Sequence, residues 1–382
     1  MKRWKQISAF CLAAVLSASG TTAAWAGSPE FARTAEEWAQ LRDNTMEYGE
    51  LAGLIREYNV TVQTNQLDLS DKKNDDLVTR DEYAQYYRDA ADDARSAIAG
   101  DDDTAVADAG LAVAARQAEE QADKNTMDLN VYKLTYDQAE ANLVASAQTA
   151  MISYFQQQYQ LESAKSSLEL LNAVYDSSVV RKNAGMATQV DVLTALENVQ
   201  NAQTSVDKLT ASIEETRQKL CIMLGWKYND TPDIKEIPAV NMDKIAAMNP
   251  ETDQEAALTN NYTLNINKKK LENATADVTK QTLATTISSN EQNIGTDLSN
   301  NYQSVLHAKA SYDQAVAEYN LEVKNMAAAD RKNQVGTISR LEYQKQKNAY
   351  ETKSIAVKTA ELTLFQAVQT YENAVGGLAS GG

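Results

Sequence analysis

The chain has 382 residues, only four of them proline and fourteen glycine, with a net charge of −17 and a mean hydropathy of −0.48. Ala, Gln, Asn, Thr, Lys and Glu dominate, which suits long helices with narrow apolar seams better than a thick globular core. So acidic a surface argues against nucleic acid and anionic lipid headgroups as partners.

Residues 1–26 read as an export signal. Lys2, Arg3 and Lys5 form the basic start, "ISAFCLAAVLSAS" the apolar stretch, and Ala24–Ala26 a small-x-small cleavage site. The stretch is too short for a membrane-spanning helix. Cys11 lacks the small preceding residue of a lipid-attachment site, and no later segment reads as a transmembrane helix. Without the signal, 33 basic residues face 53 acidic ones, a net −20. Only Cys221 then remains, so no internal disulfide forms.

The segments 111–184, 186–224, 251–294, 296–335 and 337–375 contain neither glycine nor proline. Such runs predict helices or coiled coils, with a direct reversal expected near Asn290 to Gly295. Pro232, Pro238 and Pro250 mark 225–250 as a linker. It separates a first repeat, 27–224, from a second, 251–377, which a Gly/Ser tail at 378–382 follows.

Each repeat contains the same turn. "RKNAGMATQVDVL" starts at Arg181 and "RKNQVGTISRLEY" at Arg331. Gly185 and Gly336, Thr188 and Ser339, Asp191 and Glu342, and Gly225 and Gly376 all differ by 151, the mark of an internal repeat. Glycine permits the reversal. Thr188 with Asp191, and Ser339 with Glu342, have capping-box spacing for the helix that follows.

The outgoing helices share a heptad seam. Val192, Val199, Val206, Ile213 and Leu220 correspond to Tyr343, Tyr350, Val357, Leu364 and Tyr371. The incoming helix carries Ala147, Tyr154, Leu161, Leu168 and Tyr175 at the same period. A strict seven-residue seam produces coiled-coil packing, so each turn joins two antiparallel helices. An outgoing helix of roughly 37 residues would be about 55 Å long. Upstream, "LIREYNVTVQ" around Asn59 matches "ALTNNYTLNI" around Asn261. The first copy is longer by about fifty residues, an acidic, alanine-rich insertion within about 70–125.

Nothing indicates catalysis or a cofactor. His307 has no positioned partner for acid–base work and reads as a surface or seam-edge residue. Cys221 falls on the seam, where a buried thiol is expected. The acidic runs at Asp71–Asp76 and Asp101–Asp103 lack the spacing of a Ca²⁺ loop and read as solvated faces, and no metal site is expected. Tyr343, Tyr350 and Tyr371 share a heptad position with Val357 and Leu364 and read as seam fillers.

Two helical hairpins with Gly-x-x-(Ser/Thr)-x-x-(Asp/Glu) at the tip, a glycine closing the outgoing helix, and an Asn-x-x-(Val/Leu) opening resemble the TolC-like outer-membrane efflux proteins. The resemblance covers about 46–377 and is firmest over 175–225 and 326–376. It implies an all-α protomer of long antiparallel coiled-coil hairpins in two tandem repeats, contributing to a trimeric α-barrel. It also implies that the tips meet a periplasmic membrane-fusion adaptor of an efflux pump or type I exporter, and its transporter. Carried onto this chain, one tip is Asn183, Ala184, Gly185, Met186, Ala187 and Thr188. The other is Asn333, Gln334, Val335, Gly336, Thr337, Ile338 and Ser339. The family's membrane strands are not found, because "VTVQTNQLDL" alternates weakly and "LATTISSNEQNIG" is polar and short. The expectation is an exported envelope protein with little or no β-barrel; an outer-membrane location is implied by the resemblance alone. The residues leave a second reading open, a secreted coiled-coil scaffold of the cell envelope without transport activity.

Overall fold

A computed structural model describes residues 33–381, and the export-signal residues lie outside them. The described chain is almost wholly helical. It opens with α1 (Ala35–Arg42), β1 (Thr45–Met46) and α2 (Leu51–Tyr58). Asn59 ends α2 and starts α3 (Val60–Asn74): its Oδ1 accepts from the N–H groups of Thr61 and Val62, while its Nδ2 donates to the Met223 carbonyl at 2.8 Å. Thus "VTVQTNQLDL" is helix, with Val62 buried and Val60 and Leu67 exposed. A cap and one inward residue outweigh its faint alternation.

The acidic insertion is a helical hairpin, α4 (Arg80–Ser96) and α5 (Ala105–Lys124). Ala84 and Ala91 are buried on α4, Ala115 and Ala122 on α5, so small side chains form the contact. The hairpin meets the body at its base, where Tyr83 stacks on Tyr132 at 5.5 Å. The expected unbroken run 111–184 is divided here, with neither glycine nor proline. Asn125 folds its side chain onto the Met127 N–H and carbonyl, and the Asp128 carboxylate accepts from Val131 N–H at 2.7 Å. This cap starts α6 (Leu129–Asn183), 55 residues and about 80 Å long. After the first tip comes α7 (Gln189–Met223), 35 residues.

The linker is packed rather than loose. It contains β2 (Asp233–Ile234), which pairs in parallel with β1, and α8 (Met242–Ala247). Ile234 and Ile237 join the apolar cluster of the first copy, and Ile245 is buried in that of the second.

The second copy repeats the junction of the first. Between α9 (Pro250–Asn260) and α10 (Tyr262–Asn273), Asn261 accepts from Leu264 N–H and donates to the Ala379 carbonyl at 2.8 Å. The helix α11 (Asp277–Gln334) then runs for 58 residues straight through Asn290 and Gly295, where a reversal was expected. The chain reverses instead at 274–276. Gly295 lies within the helix facing α9, where a Cβ would stand 2.8 Å from Gln254 Nε2, the end of a side chain that can rotate aside. Asn290 points inward, accepting from Asn267 Nδ2 at 3.0 Å and donating to the Gly381 carbonyl. The tail is thereby clamped, with Ser380 N–H on Asp297 Oδ2 at 2.9 Å. The final helix, α12 (Arg340–Asn373), runs into a π turn at Ala374–Leu378. That turn absorbs one extra residue. The counterpart of Gly225 is consequently Gly377, with φ +117° against +91°, and not Gly376.

Long helices line up as an open slab. Below the equator the order is α7–α6–α12–α11; above it, α3–α6–α10–α11. Glu162 meets Lys358, Glu169 meets Lys347 and Gln148 meets Asn373, so α6 and α12 run antiparallel and both bends lie at one end. Two apolar clusters fill the equator. Leu54, Ile55, Met151, Ile152 and Leu220 anchor one, and Leu264, Ile294, Leu298 and Leu364 the other. Toward the tips the helices are held by the heptad seams, whose residues are buried or half-buried.

Candidate functional site: the paired hairpin tips

Both tips use one construction. At the first, Gly185 N–H donates to the Lys182 carbonyl (2.9 Å) and Met186 N–H to that of Arg181 (2.8 Å). At the second, Gly336 N–H donates to Asn333 (3.1 Å) and Thr337 N–H to Lys332 (2.9 Å). This paired pattern closes a helix with a left-handed residue, and Gly185 and Gly336 have φ +74° and +70°. A Cβ on either would meet nothing within 4 Å. Glycine is needed here for backbone angle, not for space.

The restarts differ. Thr188 makes a complete capping box: its Oγ1 accepts from Asp191 N–H at 3.2 Å and its own N–H donates to Asp191 Oδ2 at 2.7 Å. Those donors, the Thr188 backbone N–H first and its hydroxyl second, hold the Asp191 carboxyl below its ordinary range. Ser339 makes half a box. Its Oγ accepts from Glu342 N–H at 3.2 Å, but Glu342 turns toward Lys345 at 3.7 Å rather than back to the cap. Thr188→Ala should therefore cost about 1–2 kcal/mol of stability and Ser339→Ala about 0.5–1. Urea unfolding of the two variants would check the ranking, and equal losses would refute it.

The surface of the tips is open. Asn183, Ala184, Gly185, Met186 and Thr188 are exposed on one, as are Asn333, Gln334, Val335, Gly336, Thr337 and Ser339 on the other; Ala187 and Ile338 are half-buried. Met186 and Val335 retain 65% and 72% of their accessibility. Behind the second tip, Tyr343 donates to Asp330 at 2.9 Å, Lys353 pairs with Glu318 at 2.7 Å, and the Tyr319 and Tyr350 hydroxyls meet at 3.0 Å. Behind the first tip the α6–α7 pair has no such ties. Among the described residues no side-chain bond joins these helices between Gln157–Ser212 and Lys182–Gln189.

Sequence reasoning missed the Asp330–Tyr343 tie, since a seam tyrosine does not announce what its hydroxyl meets. It also missed that Asn59 and Asn261 each join the start of one helix to the end of another. Their signature, an Asn just before an apolar run in both copies, was visible. His307 is exposed and makes no part of the tips. Cys221 is fully buried, and burial pushes its thiol up. Among the described residues, no group of three or more His, Cys, Asp or Glu is placed to hold a metal ion.

No protein-family profile matches the chain, and no curated protein sequence does. Solved structures do. A membrane protein from Pseudomonas aeruginosa superposes with a TM-score of 0.58 at 13% identity, over 86% of this chain and 90% of that one. The outer-membrane channel OprN matches with a TM-score of 0.55 at 13% identity, over 95% and 99%. The outer membrane protein VceC of Vibrio cholerae gives 0.53 at 11% identity, over 89% and 96%. The chain has the TolC-like fold.

Proposed function

We propose that this chain is one protomer of a trimeric tunnel in an envelope export or efflux system, docking through its hairpin tips onto a membrane-fusion adaptor driven by an inner-membrane transporter. The observation that carries this reading is the open slab with both tips at one end. Its two edges, α7 and α11, differ from one another, and a heterologous contact of α7 on the α11 of a second copy, repeated, would close into a ring. Exposed apolar residues mark these edges: Val190 and Leu193 on α7, Leu321 and Val323 on α11, Val60 and Leu67 on α3. Four helices from each of three copies would make a twelve-helix wall, and a ring so built has six tips at one mouth. That the structural neighbours include outer-membrane channels supports the same reading.

No chemistry is asked of the chain; its work is gating. Behind the tips the α11–α12 pair is cross-tied, whereas among the described residues the α6–α7 pair has no side-chain bond between Lys182–Gln189 at the tip and Gln157–Ser212. Splaying of the mouth should start at α6–α7. The export-signal reading and the outer-membrane neighbours support an envelope location. Anchorage is unlike theirs in one respect. Among the described residues no helix is long and apolar enough to cross a membrane, and the strands have two residues each, far short of a membrane strand. The position where the resemblance puts a β-hairpin holds α4–α5 in one copy and a three-residue turn in the other.

Cysteine crosslinking in cells tests the docking. Met186→Cys and Val335→Cys should each crosslink to a membrane-fusion adaptor, whereas a cysteine at Val106 on α5 should not. Crosslinks from neither tip would favour the scaffold reading.

A further inference from the structure

Resting on the docking reading above, we infer that the adaptor surface met by the tips is acidic around an apolar centre, with Asp or Glu flanking small apolar residues. The chain as a whole is strongly acidic, yet its tips invert that charge. Arg181 and Lys182 stand at one tip, and Arg331, Lys332 and Arg340 at the other. All five are exposed, and among the described residues none has a carboxylate within ion-pair distance, Lys182 donating instead to the neutral Gln189 side chain. The acids nearby are already engaged: Asp191 in its cap, Asp330 with the Tyr343 hydroxyl, Glu342 beside Lys345.

A bland explanation covers only part of this. Cations in the last turn of α6 and α11 complement the negative helix end. Arg340 has no such excuse, since it is the first residue of α12, where the dipole is positive and a cation is unfavourable. An outside anion would relieve it. Met186 and Val335 sit at the apex of each reversal, next to the glycine, as exposed apolar knobs a few residues along the chain from these cations. At physiological salt the field of such charges reaches about 8 Å, so only an anion brought close by the knobs would feel it. Charge then selects the partner and sets the rate of encounter, while the knobs hold it.

Three synthetic helical-hairpin peptides with one Ala/Leu apex and either Glu, Gln or Lys flanking it test this on the full-length protein. The Glu hairpin should bind about tenfold tighter than the Gln hairpin at about 50 mM NaCl, lose most of that advantage at about 500 mM, and the Lys hairpin should bind least. Arg331→Gln with Lys332→Gln and Arg340→Gln should reduce the preference at unchanged helicity, and adding Arg181→Gln and Lys182→Gln should abolish it. Met186→Ser with Val335→Ser should weaken Glu and Gln hairpins alike. Equal affinity for Glu and Gln hairpins would overturn the inference, as would anionic-lipid vesicles binding through the same five cations while the hairpins do not. The two readings separate in cells. If Val335→Cys, on the same tip, still crosslinks the adaptor at full yield in the three-Gln background, charge selection is wrong and docking stands. If neither Met186→Cys nor Val335→Cys crosslinks it with the five cations intact, docking itself fails.

Discussion

Alanine at Gly225 or Gly377 is expected to destabilise the protein by roughly 2–4 kcal/mol, against about 1–2 kcal/mol for alanine at Gly185 or Gly336. All four have positive φ, so each substitution incurs the left-handed cost. Only the first two also collide. A Cβ on Gly225 would fall inside the van der Waals envelope of Tyr58 Cβ and 3.2 Å from the Tyr58 carbonyl oxygen. On Gly377 it would overlap the Asn260 carbonyl oxygen and stand 3.0 Å from the carbonyl carbon. Both obstacles are backbone or the root of a side chain and cannot rotate away. These glycines let the end of an outgoing helix touch the residue before the capping asparagine of its own copy. Urea midpoints of the four single variants, at unchanged slope, read the difference directly. Equal losses would mean that the equatorial contacts yield easily.

The second large effect is predicted for Asn261→Ala. The residue is fully buried and does two things: it caps α10 at Leu264 N–H and donates to the Ala379 carbonyl. Losing the cap costs about 1 kcal/mol and leaving a buried carbonyl without its donor about 1–3, so a total of roughly 2–4 kcal/mol is expected. Asn59→Ala removes the matching bonds of the first copy, with a similar loss. Asn261→Asp separates the two roles. It keeps the capping oxygen but turns a second oxygen toward the Ala379 carbonyl, so it should rescue little. Hydrogen exchange should quicken across α10 and residues 379–381 in both Asn261 variants. Full protection in Asn261→Asp would show that the cap alone matters.

Legibility in the sequence followed the chemistry of the turns. The tips were readable because a glycine, a hydroxyl residue and an acid at fixed spacing leave few alternatives, and because the pattern recurs at one offset. The heptad seams predicted outgoing helices close to the observed 35 and 34 residues. The upper reversal before α6 was hidden because it uses asparagine and aspartate side chains in place of glycine or proline, at Asn125 and Asp128. Gly295 misled for the converse reason. A glycine inside a helix, facing Gln254, looks in sequence like one that ends a helix. The one-residue offset between Gly376 and Gly377 is set by a π turn, which no local residue pattern reveals. Nor did composition show that the polar tail would be held by Asn261, Asn290 and Asn293, bonds that span 88 to 118 residues of chain.

The proposed tunnel would depend on three slabs joining edge to edge, α7 of one copy against α11 of the next. The mass of the purified chain in solution tests this most directly. Three chains per particle, falling to one when Leu193 and Leu321 are both replaced by Glu, is the predicted result; a particle that is a monomer or a dimer from the outset would contradict it.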